Sequence, residues 1–323
     1  MKRIAVMTSG GDSPGMNACV RSVVRCALAK GIEVMGVKRG YYGLINNDIA
    51  ELDSRDVGGI IRQGGTMLMS ARCLEFKTEE GQKRALDVLG GWDIEGMVVI
   101  GGDGSLTGAK VLSDLGFPTV GVPASIDNDI NGTDSSIGVD TALNTILDAI
   151  DKIKDTASAH QRTFIIEVMG RAQGYLAMVS GIVGGAEIVV IPGQEPEKEK
   201  VIKSVKTAFI SGKPHYIAVV AEGANSADKS MTETLASYVR EAGYDVRVTV
   251  LGHVQRGGSP SAFDRLLATR FGASAVEFLL DGKTGVMTGL QGRKIVPVPF
   301  EDVIGKHPDL NPHTLSLAGI LAK

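Results

Sequence analysis

The chain has 323 residues, of which 43% are hydrophobic and 22% charged, a balance that provides for buried cores and excludes a disordered protein. At roughly 100 to 200 residues per domain, this length indicates two domains or one large one. Lys and Arg number 34 against 37 Asp and Glu, for a net charge of −3, so no protein-wide basic field favours nucleic acid or an anionic membrane.

Short apolar runs rich in β-branched residues alternate along the chain with amphipathic stretches at helical spacing. Strands are predicted at 3–8, 33–38, 97–100, 119–122, 164–168, 188–191, 216–221 and 246–251. Helices are predicted at 16–30, 79–89, 105–115, 139–156, 197–210, 231–242 and 263–280. Strands that read as continuous Val and Ile runs are buried on both faces, and helical crossovers make their sheet parallel. We therefore predict an α/β fold of two Rossmann-like three-layer lobes with mainly parallel sheets.

The cysteines and the hydropathy pattern indicate the compartment. Cys19, Cys26 and Cys73 show no CxxC spacing, which is typical of reduced, buried thiols and not of a disulfide framework. The five histidines form no zinc-binding pattern. No apolar stretch approaches the roughly 18 residues of a membrane span, and the N-terminal apolar run is too short for a signal peptide. We expect a cytoplasmic protein without nucleic-acid or membrane partners.

A glycine-rich loop follows the first predicted strand, at the end of the strand where parallel sheets bind ligands. Residues 9–17 (SGGDSPGMN) open a helix, whose free N–H groups and dipole attract anions. The loop is not a Rossmann fingerprint, because Asp12 stands where the second glycine is needed, and no lysine follows Gly15 as in a Walker A loop. It is a candidate phosphate site, with a plain tight turn as the alternative.

Two further loops follow strands and carry carboxylates. In residues 100–105 (IGGDGS), Asp103 is either a magnesium ligand or the N-cap of the next helix, because both use the same oxygen lone pairs. In residues 123–129 (PASIDND), an extended chain would turn Asp127 and Asp129 to one face. One carboxylate near a cation and one near a hydroxyl suit a kinase, whereas an Asx-turn loop with solvated acids is the alternative.

Several arginines lie in or beside loops, and the planar guanidinium binds phosphate in a bidentate manner. They are Arg72, Arg162, Arg171, Arg247 and Arg256. Together with three anion-ready loops, they indicate a substrate that carries phosphate at more than one place. Arg21 and Arg25 stand one turn apart on a predicted helix without an acid at i±4, which fits either a bound anion or a solvated face.

With these segments assembled, the chain resembles the bacterial ATP-dependent 6-phosphofructokinase family over essentially its whole length. The segments that carry the resemblance are 10–17 (GGDSPGMN), 101–105 (GGDGS), 126–129 (IDND), 169–171 (MGR), 221–223 (AEG) and 252–258 (GHVQRGG). The resemblance implies transfer of the γ-phosphoryl group of MgATP to the 1-hydroxyl of fructose 6-phosphate in glycolysis, with fructose 1,6-bisphosphate and ADP as products.

The resemblance also implies a role for each matching residue. Asp127 would be the general base and Arg171 would stabilise charge in the transition state. ATP would be bound by Gly11, Arg72, Cys73, Gly102, Asp103, Gly104 and Ser105, with Asp103 on Mg²⁺. The sugar phosphate would be bound by Ser125, Asp129, Arg162, Met169, Gly170, Glu222, Arg247, His253 and Arg256. The family lends Arg162 and Arg247 across a subunit interface of a homotetramer, so a homotetramer with shared active sites is expected.

The same resemblance divides the chain into lobes and adds an effector site. Residues 1–138 with 252–302 would form the ATP-binding lobe, and residues 139–251 with 303–323 the sugar-phosphate-binding lobe. ADP or phosphoenolpyruvate would bind between subunits at Arg21, Arg25, Lys154, Glu187 and Lys213. Ser54 and Ser211 replace basic residues of the family there, and Lys154 replaces an arginine. Fewer cations bind anions more weakly, so we expect attenuated or altered allostery.

Two positions bear on the phosphoryl donor. Pyrophosphate-using relatives carry an acid at the position of Gly104 and a lysine at that of Ala124, so Gly104 favours ATP. The family usually has Gly-Thr where this chain has Ala124-Ser125; the serine keeps the hydroxyl, and the alanine is expected to place a methyl near the transferred phosphate. One alternative is a pyrophosphate-dependent phosphofructokinase. The other is a catalytically silent nucleotide-sensing paralogue, and the intact Asp103, Asp127 and Arg171 count against this second alternative.

Overall fold

The computed structural model describes residues 1–160, 162–194, 196–225 and 230–321. The chain forms two compact units, the first of Met1–Thr141 with Arg256–Pro308 and the second of Ala142–Gln255 with Asp309–Lys323. These ranges differ by a few residues at each crossing from the lobes expected from the sequence.

The strands and helices alternate along most of the chain. The strands are β1 (Arg3–Ser9), β2 (Glu33–Val37), β3 (Ile49–Glu51), β4 (Met97–Gly101), β5 (Thr119–Pro123), β6 (Thr163–Val168), β7 (Ile188–Val190), β8 (Tyr216–Ala221), β9 (Val246–Val250), β10 (Val286–Gln291) and β11 (Lys294–Pro299). The helices are α1 (Met16–Leu28), α2 (Gly40–Ile45), α3 (Glu79–Gly91), α4 (Asp103–Asp114), α5 (Val139–His160), α6 (Tyr175–Val183), α7 (Lys198–Ile210), α8 (Met231–Glu241), α9 (Ala262–Leu280), α10 (Phe300–Val303) and α11 (Pro312–Leu321).

The sheet of the first unit has the strand order β11-β10-β5-β4-β1-β2-β3. Its inner strands are parallel, while β3 and β11 join the two edges in antiparallel orientation. Alternate residues of β1 enter two apolar clusters, Ile4 and Val6 on one face and Ala5 and Met7 on the other. Helices α1 and α9 cover the first face, and α2, α3, α4 and α10 contribute to the second cluster. This three-layer arrangement buries the inner strands on both faces.

The sheet of the second unit has the order β7-β8-β6-β9, and all its strands are parallel. One face packs on α7 and α8 through an apolar cluster that includes Val205 and Leu235. Helix α6 contacts β7 and β8, and α11 contacts α6. The predicted α/β fold with mainly parallel sheets is confirmed.

All three cysteines are free thiols. Cys19 is buried and its burial raises the pKa of its thiol, but Cys26 and Cys73 are partly exposed. The expectation of buried thiols is therefore wrong for two of the three. Among the described residues, the helices lack the length and apolar character that crossing a membrane requires.

Candidate active site

The three carboxylate-bearing and glycine-rich loops begin side by side in the first unit. In the sheet register Ser9 of β1 pairs with Gly101 of β4, and Gly101 pairs with Pro123 of β5. Parallel strands end at the same edge, so the loops that follow them emerge next to one another. The convergence expected from the sequence is therefore present.

The first loop brings backbone and a guanidinium together. Gly15 precedes α1 with φ 112° and leaves the helix start without a side-chain cap, so the first N–H groups of α1 are not covered by a cap. Arg256 Nη1 donates to the carbonyl oxygen of Asp12 at 3.2 Å. A Cβ atom at Gly11 would lie 2.9 Å from the same Nη1. A side chain at position 11 would therefore push the end of the Arg256 side chain out of its present position.

In the second loop, the carboxylate of Asp103 does not cap the helix that follows. Gly102 occupies the N-cap of α4 and Asp103 is the first helical residue, two residues before the predicted start of this helix. The alternative in which Asp103 caps the helix is therefore wrong. Its half-exposed carboxylate lies at a helix start, where anions also bind.

The carboxylate of Asp103 suits magnesium better than a metal held by protein ligands alone. No group of three or more His, Cys, Asp or Glu that could hold a metal occurs in the part of the chain that the structure describes. Mg²⁺ is ordinarily bound by one or two carboxylates together with substrate phosphates and water. A single carboxylate next to two anion-ready loops fits that ion.

The third loop is a turn and not an extended segment. Residues 126 and 127 form a turn, and Asn128 has φ 50°. The extended conformation assumed for Asp127 and Asp129 is therefore wrong, because Asn tolerates the left-handed region and reverses the chain here. The alternative of solvated acids is wrong as well, since Asp127 is 1% and Asp129 6% exposed.

A serine hydroxyl joins the two acidic residues of this turn. Ser125 Oγ donates to Asp129 Oδ1 at 2.9 Å and accepts a hydrogen bond from the Asp127 N–H at 3.3 Å. Ala124 is 1% exposed and its methyl belongs to the apolar core of the first unit. The Ala124 side chain is thus part of the core, and its proximity to the transferred phosphate stays a prediction.

A buried carboxylate that the sequence analysis missed anchors the end of the third loop. Asp264, in α9, accepts hydrogen bonds from Gly138 N (2.9 Å), Thr141 N (2.8 Å) and Thr141 Oγ1 (2.5 Å). Burial raises the pKa of the Asp264 carboxyl, and the hydrogen bonds from Thr141 and Gly138 oppose that shift. Ser261 Oγ accepts from Asp264 N at 3.2 Å, so the pattern Ser-x-x-Asp is the local signal that could have found it.

The segment that carries Arg72 and Cys73 is fastened to the first loop. Asn17 Nδ2 donates to the carbonyl oxygens of residues 63 and 64, and Asn17 Oδ1 accepts from the N–H of residue 67. Ser70 Oγ donates to the carbonyl oxygen of Gly10 at 2.6 Å. Arg72 is exposed and Cys73 half-buried. The backbone of Arg72 and Cys73 therefore lies near the first glycine-rich loop.

Tyr41 is a second residue that the sequence analysis missed. Its hydroxyl donates to the carbonyl oxygen of Ser105 at 2.7 Å, and burial raises its pKa. A Cβ atom at Gly108 would lie 2.4 Å from Tyr41 Cζ. The ring therefore packs against α4 at Gly108, and its hydroxyl forms a hydrogen bond with the backbone at the end of the second loop.

In the second unit, two loops at the carboxyl end of the sheet are in contact. Val168 of β6 is in register with Ala221 of β8, so the residues that follow these strands meet. The Arg171 N–H donates to Glu222 Oε1 at 3.1 Å. A Cβ atom at Gly223 would lie 1.7 Å from the carbonyl oxygen of Arg171, so only glycine allows this approach.

Gln255 connects two of the segments that carry the resemblance. The resemblance implied no role for this residue. Its side chain is buried; Oε1 accepts from the Met169 N–H at 3.1 Å, and Nε2 donates to the Gly252 carbonyl oxygen at 2.9 Å. Gly170 has φ 129°, which favours glycine at this sharp turn. His253 is exposed on the short helix Gly252–Arg256.

The structure places Arg162 and Arg247 away from these loops. Arg162 precedes β6 and Arg247 is the second residue of β9, so both lie at the amino ends of their strands. Met169, Glu222 and His253 follow the carboxyl ends. At about 3.3 Å per residue, a six-residue strand such as β6 separates the two groups by roughly 20 Å.

The residues expected to bind an effector fall in both units. Arg21 is partly exposed and Arg25 exposed on α1. In the second unit Lys213 Nζ pairs with Glu187 Oε1 at 3.2 Å, and Lys154 Nζ would lie 3.3 Å from a Cβ atom at Gly185. Burial lowers the pKa of the neighbouring His215, whose Nδ1 is 2.8 Å from Ser158 Oγ.

Comparison with known proteins supplies a family. The sequence pattern named Phosphofructokinase matches residues 3–279. The curated ATP-dependent 6-phosphofructokinase of Shouchella clausii is 53% identical over 315 residues, 98% of this chain and 96% of the relative. That of Halalkalibacterium halodurans is 54% identical over 318 residues, 98% of each chain.

Solved structures agree on the fold. Phosphofructokinase from Saccharomyces cerevisiae superposes with a TM-score of 0.86 at 36% identity, covering 98% of this chain and 46% of the yeast chain. The chain thus spans about half the length of that relative. A pyrophosphate-dependent phosphofructokinase from Marinobacter aquaeolei has a TM-score of 0.84 at 24% identity, over 97% of this chain and 86% of its own, and shows the fold alone.

Proposed function

The chain belongs to the phosphofructokinase family, and we propose that it transfers the γ-phosphoryl group of ATP to the 1-hydroxyl of fructose 6-phosphate. The products are fructose 1,6-bisphosphate and ADP, and the enzyme is a glycolytic sugar-phosphate kinase. The observation that carries the proposal is the register of β1, β4 and β5, which starts three loops at one edge of the first unit. ATP is the donor of the relatives that are 53% and 54% identical.

The first unit, corresponding to the expected ATP-binding lobe, is assigned the nucleotide. The backbone of Gly11, Gly102, Gly104 and Ser105 bends around two helix starts, where N–H groups bind phosphate oxygens. Arg72 and Cys73 flank the same edge. A Cβ atom at Gly104 would meet nothing within 4 Å, so this position offers space for a polyphosphate, where an acid would repel it.

Asp103 is assigned to Mg²⁺, since its carboxylate is not used as a cap. Bound at Asp103, the ion would supply positive charge against the negative charge that develops on the transferred phosphoryl group. The chain itself supplies the placement of that carboxylate: Tyr41 holds Ser105, and Ser105 lies two residues after Asp103. Positioning and charge neutralisation are the main requirements of phosphoryl transfer.

Asp127 is assigned the role of general base. A carboxylate oxygen takes the proton of the sugar 1-hydroxyl as the oxygen of that hydroxyl attacks the γ-phosphorus. Asp127 is 1% exposed. The sugar 1-hydroxyl therefore reaches its carboxylate only if the third loop, or a side chain that covers it, moves when substrate binds. Asp129 and Ser125 form the hydrogen bond that supports the turn from within.

The second unit, corresponding to the expected sugar-phosphate-binding lobe, is assigned the sugar phosphate. Arg171 stabilises transition-state charge from the turn that Gly170 opens, and Met169, Glu222 and His253 bind the sugar at the same sheet edge. Arg256, held at Asp12, belongs to the first unit and binds the sugar phosphate as well. These assignments are supported by the shared register of β6 and β8.

Arg162 and Arg247 support a shared active site. They lie roughly 20 Å along the sheet from Met169 and Glu222, much farther than a hexose phosphate extends. This separation supports the proposal that the two groups of one chain serve different substrate molecules and that a second copy supplies the arginines. We propose the homotetramer of the resemblance on this ground.

Regulation by ADP or phosphoenolpyruvate is proposed to be attenuated or altered. Glu187 already holds Lys213 and accepts the Ile217 N–H at 2.7 Å. Ser211 Oγ donates to the Ala208 carbonyl oxygen at 2.8 Å, so it adds no cation. Arg21, Arg25 and Lys154 are the positive charges left for an effector.

The cytoplasmic location also stays a prediction.

The test is a coupled assay with fructose 6-phosphate, run in parallel with ATP and with pyrophosphate. ADP formation that requires the sugar phosphate is expected; faster turnover with pyrophosphate would favour the other donor, and no turnover would favour a silent paralogue. Asp127→Asn is expected to lower kcat by about 10²- to 10⁴-fold with little change in binding of fructose 6-phosphate. Equal losses in binding and kcat would mean that Asp127 is only structural.

A further inference from the structure

One carboxylate bridges the two arginines at the amino end of the second sheet. Arg162 Nε lies 2.8 Å from Asp245 Oδ2, and Arg247 Nη1 lies 2.9 Å from Asp245 Oδ1. Each oxygen of the carboxylate therefore faces a different guanidinium group. Nothing in the spacing along the chain indicates this contact between Arg162 and Asp245.

The sheet fixes the three side chains relative to one another. Thr163 is in register with Val246, and the Thr163 N–H donates to the Asp245 carbonyl oxygen at 3.1 Å. The residues just before the two strands, Arg162 and Asp245, are therefore neighbours. Asp245 and Arg247 are two positions apart, so they lie on one face of the edge strand β9.

A carboxylate between two guanidinium groups occupies the hydrogen-bond donors that a phosphate would use. The side chains of Arg162, Asp245 and Arg247 are 32%, 47% and 53% exposed, so a ligand can reach all three. Ion pairs with this exposure are weak. A phosphate dianion, with two charges and three terminal oxygens, is a stronger partner for the same arginines.

We propose that Asp245 competes with the substrate phosphate for Arg162 and Arg247, and so sets the sugar-phosphate concentration at which the enzyme works. The inference rests on the proposed function, in which these arginines bind the 6-phosphate. The competition also makes the pair selective, because a ligand with one negative charge gains little over the carboxylate that it displaces. Asp245 does not touch the reacting groups, so its effect falls on binding and not on the chemical step.

Competition by Asp245 and support by Asp245 predict opposite changes in the affinity for fructose 6-phosphate. If Asp245 competes, its removal frees the donors of both arginines and binding of fructose 6-phosphate becomes tighter. If Asp245 mainly holds the arginines in place, its removal makes binding weaker. The direction of change in KM therefore decides between the two roles.

The test measures steady-state kinetics of Asp245→Asn, which keeps the shape and removes the charge. KM for fructose 6-phosphate is expected to fall about two- to fivefold, the size that exposed ion pairs have, whereas kcat and KM for ATP stay at their wild-type values. Asp245→Ser removes the carboxylate without introducing an amide, and it is expected to lower KM as well; this separates loss of the charge from new contacts of the asparagine amide.

Glu241→Gln is the matched control. Glu241 pairs with Lys198 at 2.7 Å in the same unit, and its replacement removes one negative charge without touching either arginine. It is expected to leave KM unchanged. An equal fall in KM with Glu241→Gln would assign the effect to overall charge and overturn the inference, as would an unchanged or raised KM in both Asp245 variants. Loss of sugar-dependent turnover in the wild type would refute the proposed function instead.

Discussion

Replacement of Ser125 by alanine tests whether the hydroxyl of the third loop positions Asp127, the proposed general base, and its neighbour Asp129. In the structure this hydroxyl donates to Asp129 and accepts the Asp127 N–H. The three residues are buried, so water cannot readily take over the lost bonds. We expect Ser125→Ala to leave Asp129 short of a donor and to loosen the turn that carries Asp127.

The size of the effect follows from the burial and the charge. A hydrogen bond to a charged group contributes about 1.5–3 kcal/mol, and 1.4 kcal/mol corresponds to about a tenfold change in rate at 25 °C. The 3.3 Å contact with the Asp127 N–H is long and adds little. If the loss falls on the transition state, kcat is expected to fall between about tenfold and about 150-fold.

The assay measures kcat at saturating ATP and fructose 6-phosphate, with thermal unfolding as the check on folding. Ser125→Thr restores the hydroxyl and is expected to return kcat close to the wild-type value. Ser135→Ala is a control in the same loop, because Ser135 Oγ makes a marginal contact of 3.5 Å with the Ser136 carbonyl oxygen. Wild-type kcat in Ser125→Ala, or a threonine variant as slow as the alanine variant, would refute the reasoning.

Three further changes have expected outcomes. Gly223→Ala places a Cβ atom 1.7 Å from the Arg171 carbonyl oxygen and is expected to lower kcat about 10²-fold through displacement of the turn, whereas Gly90→Ala, which meets nothing within 4 Å in α3, should leave kcat unchanged. Asp264→Asn leaves a buried donor unpaired and should lower the free energy of unfolding by about 1–3 kcal/mol. Since the folded-state pKa of Asp264 is raised, this difference from wild type should shrink as pH rises through that pKa, and a difference that grows would contradict the sign. His215→Gln should remove a loss of stability that the wild type shows as pH falls below 6.5, because burial lowers the folded-state pKa of His215; identical pH profiles in unfolding experiments would exclude it.

The positions of the phosphate-binding loops could be predicted because their signal is local. A β-branched run predicts a buried strand, and the glycines that follow it predict where the strand ends. Parallel pairing then aligns the loop ends without further information, as the pairing of Ser9 with Gly101 shows. The fold class and the meeting of the loops in the first unit were therefore accessible from the sequence.

The shape of the loops was less accessible. Alternation along an extended chain was assumed for residues 125–129, but the turn at Asn128 replaces that geometry. The helix that begins at Asp103 starts earlier than its amphipathic pattern, because Gly102 and not the carboxylate caps it. In both cases a short polar side chain can hydrogen-bond to nearby backbone groups, which offers the chain an alternative to regular structure that its sequence pattern does not reveal.

The anchoring residues could not be predicted because their partners are far away in the chain. Asp264 bonds to Gly138 and Thr141, more than 120 positions earlier, and Asp245 meets Arg162 across two strands. Helix α6 was missed for another reason: its sequence YLAMVSGIV is apolar on nearly every side, so it has no helical periodicity of hydrophobic and polar positions.

Burial divides the proposed site into parts that should affect different kinetic constants. Asp127, Asp129 and Ser125 are buried, and the Ser125 hydroxyl makes a hydrogen bond to each of the two acidic residues, an arrangement that suits electrostatic stabilisation of a transition state. Arg162 is partly exposed and Arg247 exposed; both guanidinium groups pair with the Asp245 carboxylate, and Arg247 Nη1 also donates to the Val246 carbonyl oxygen at 3.3 Å. Changes in the buried set should therefore lower kcat, whereas changes in the exposed pair should move KM for the sugar phosphate.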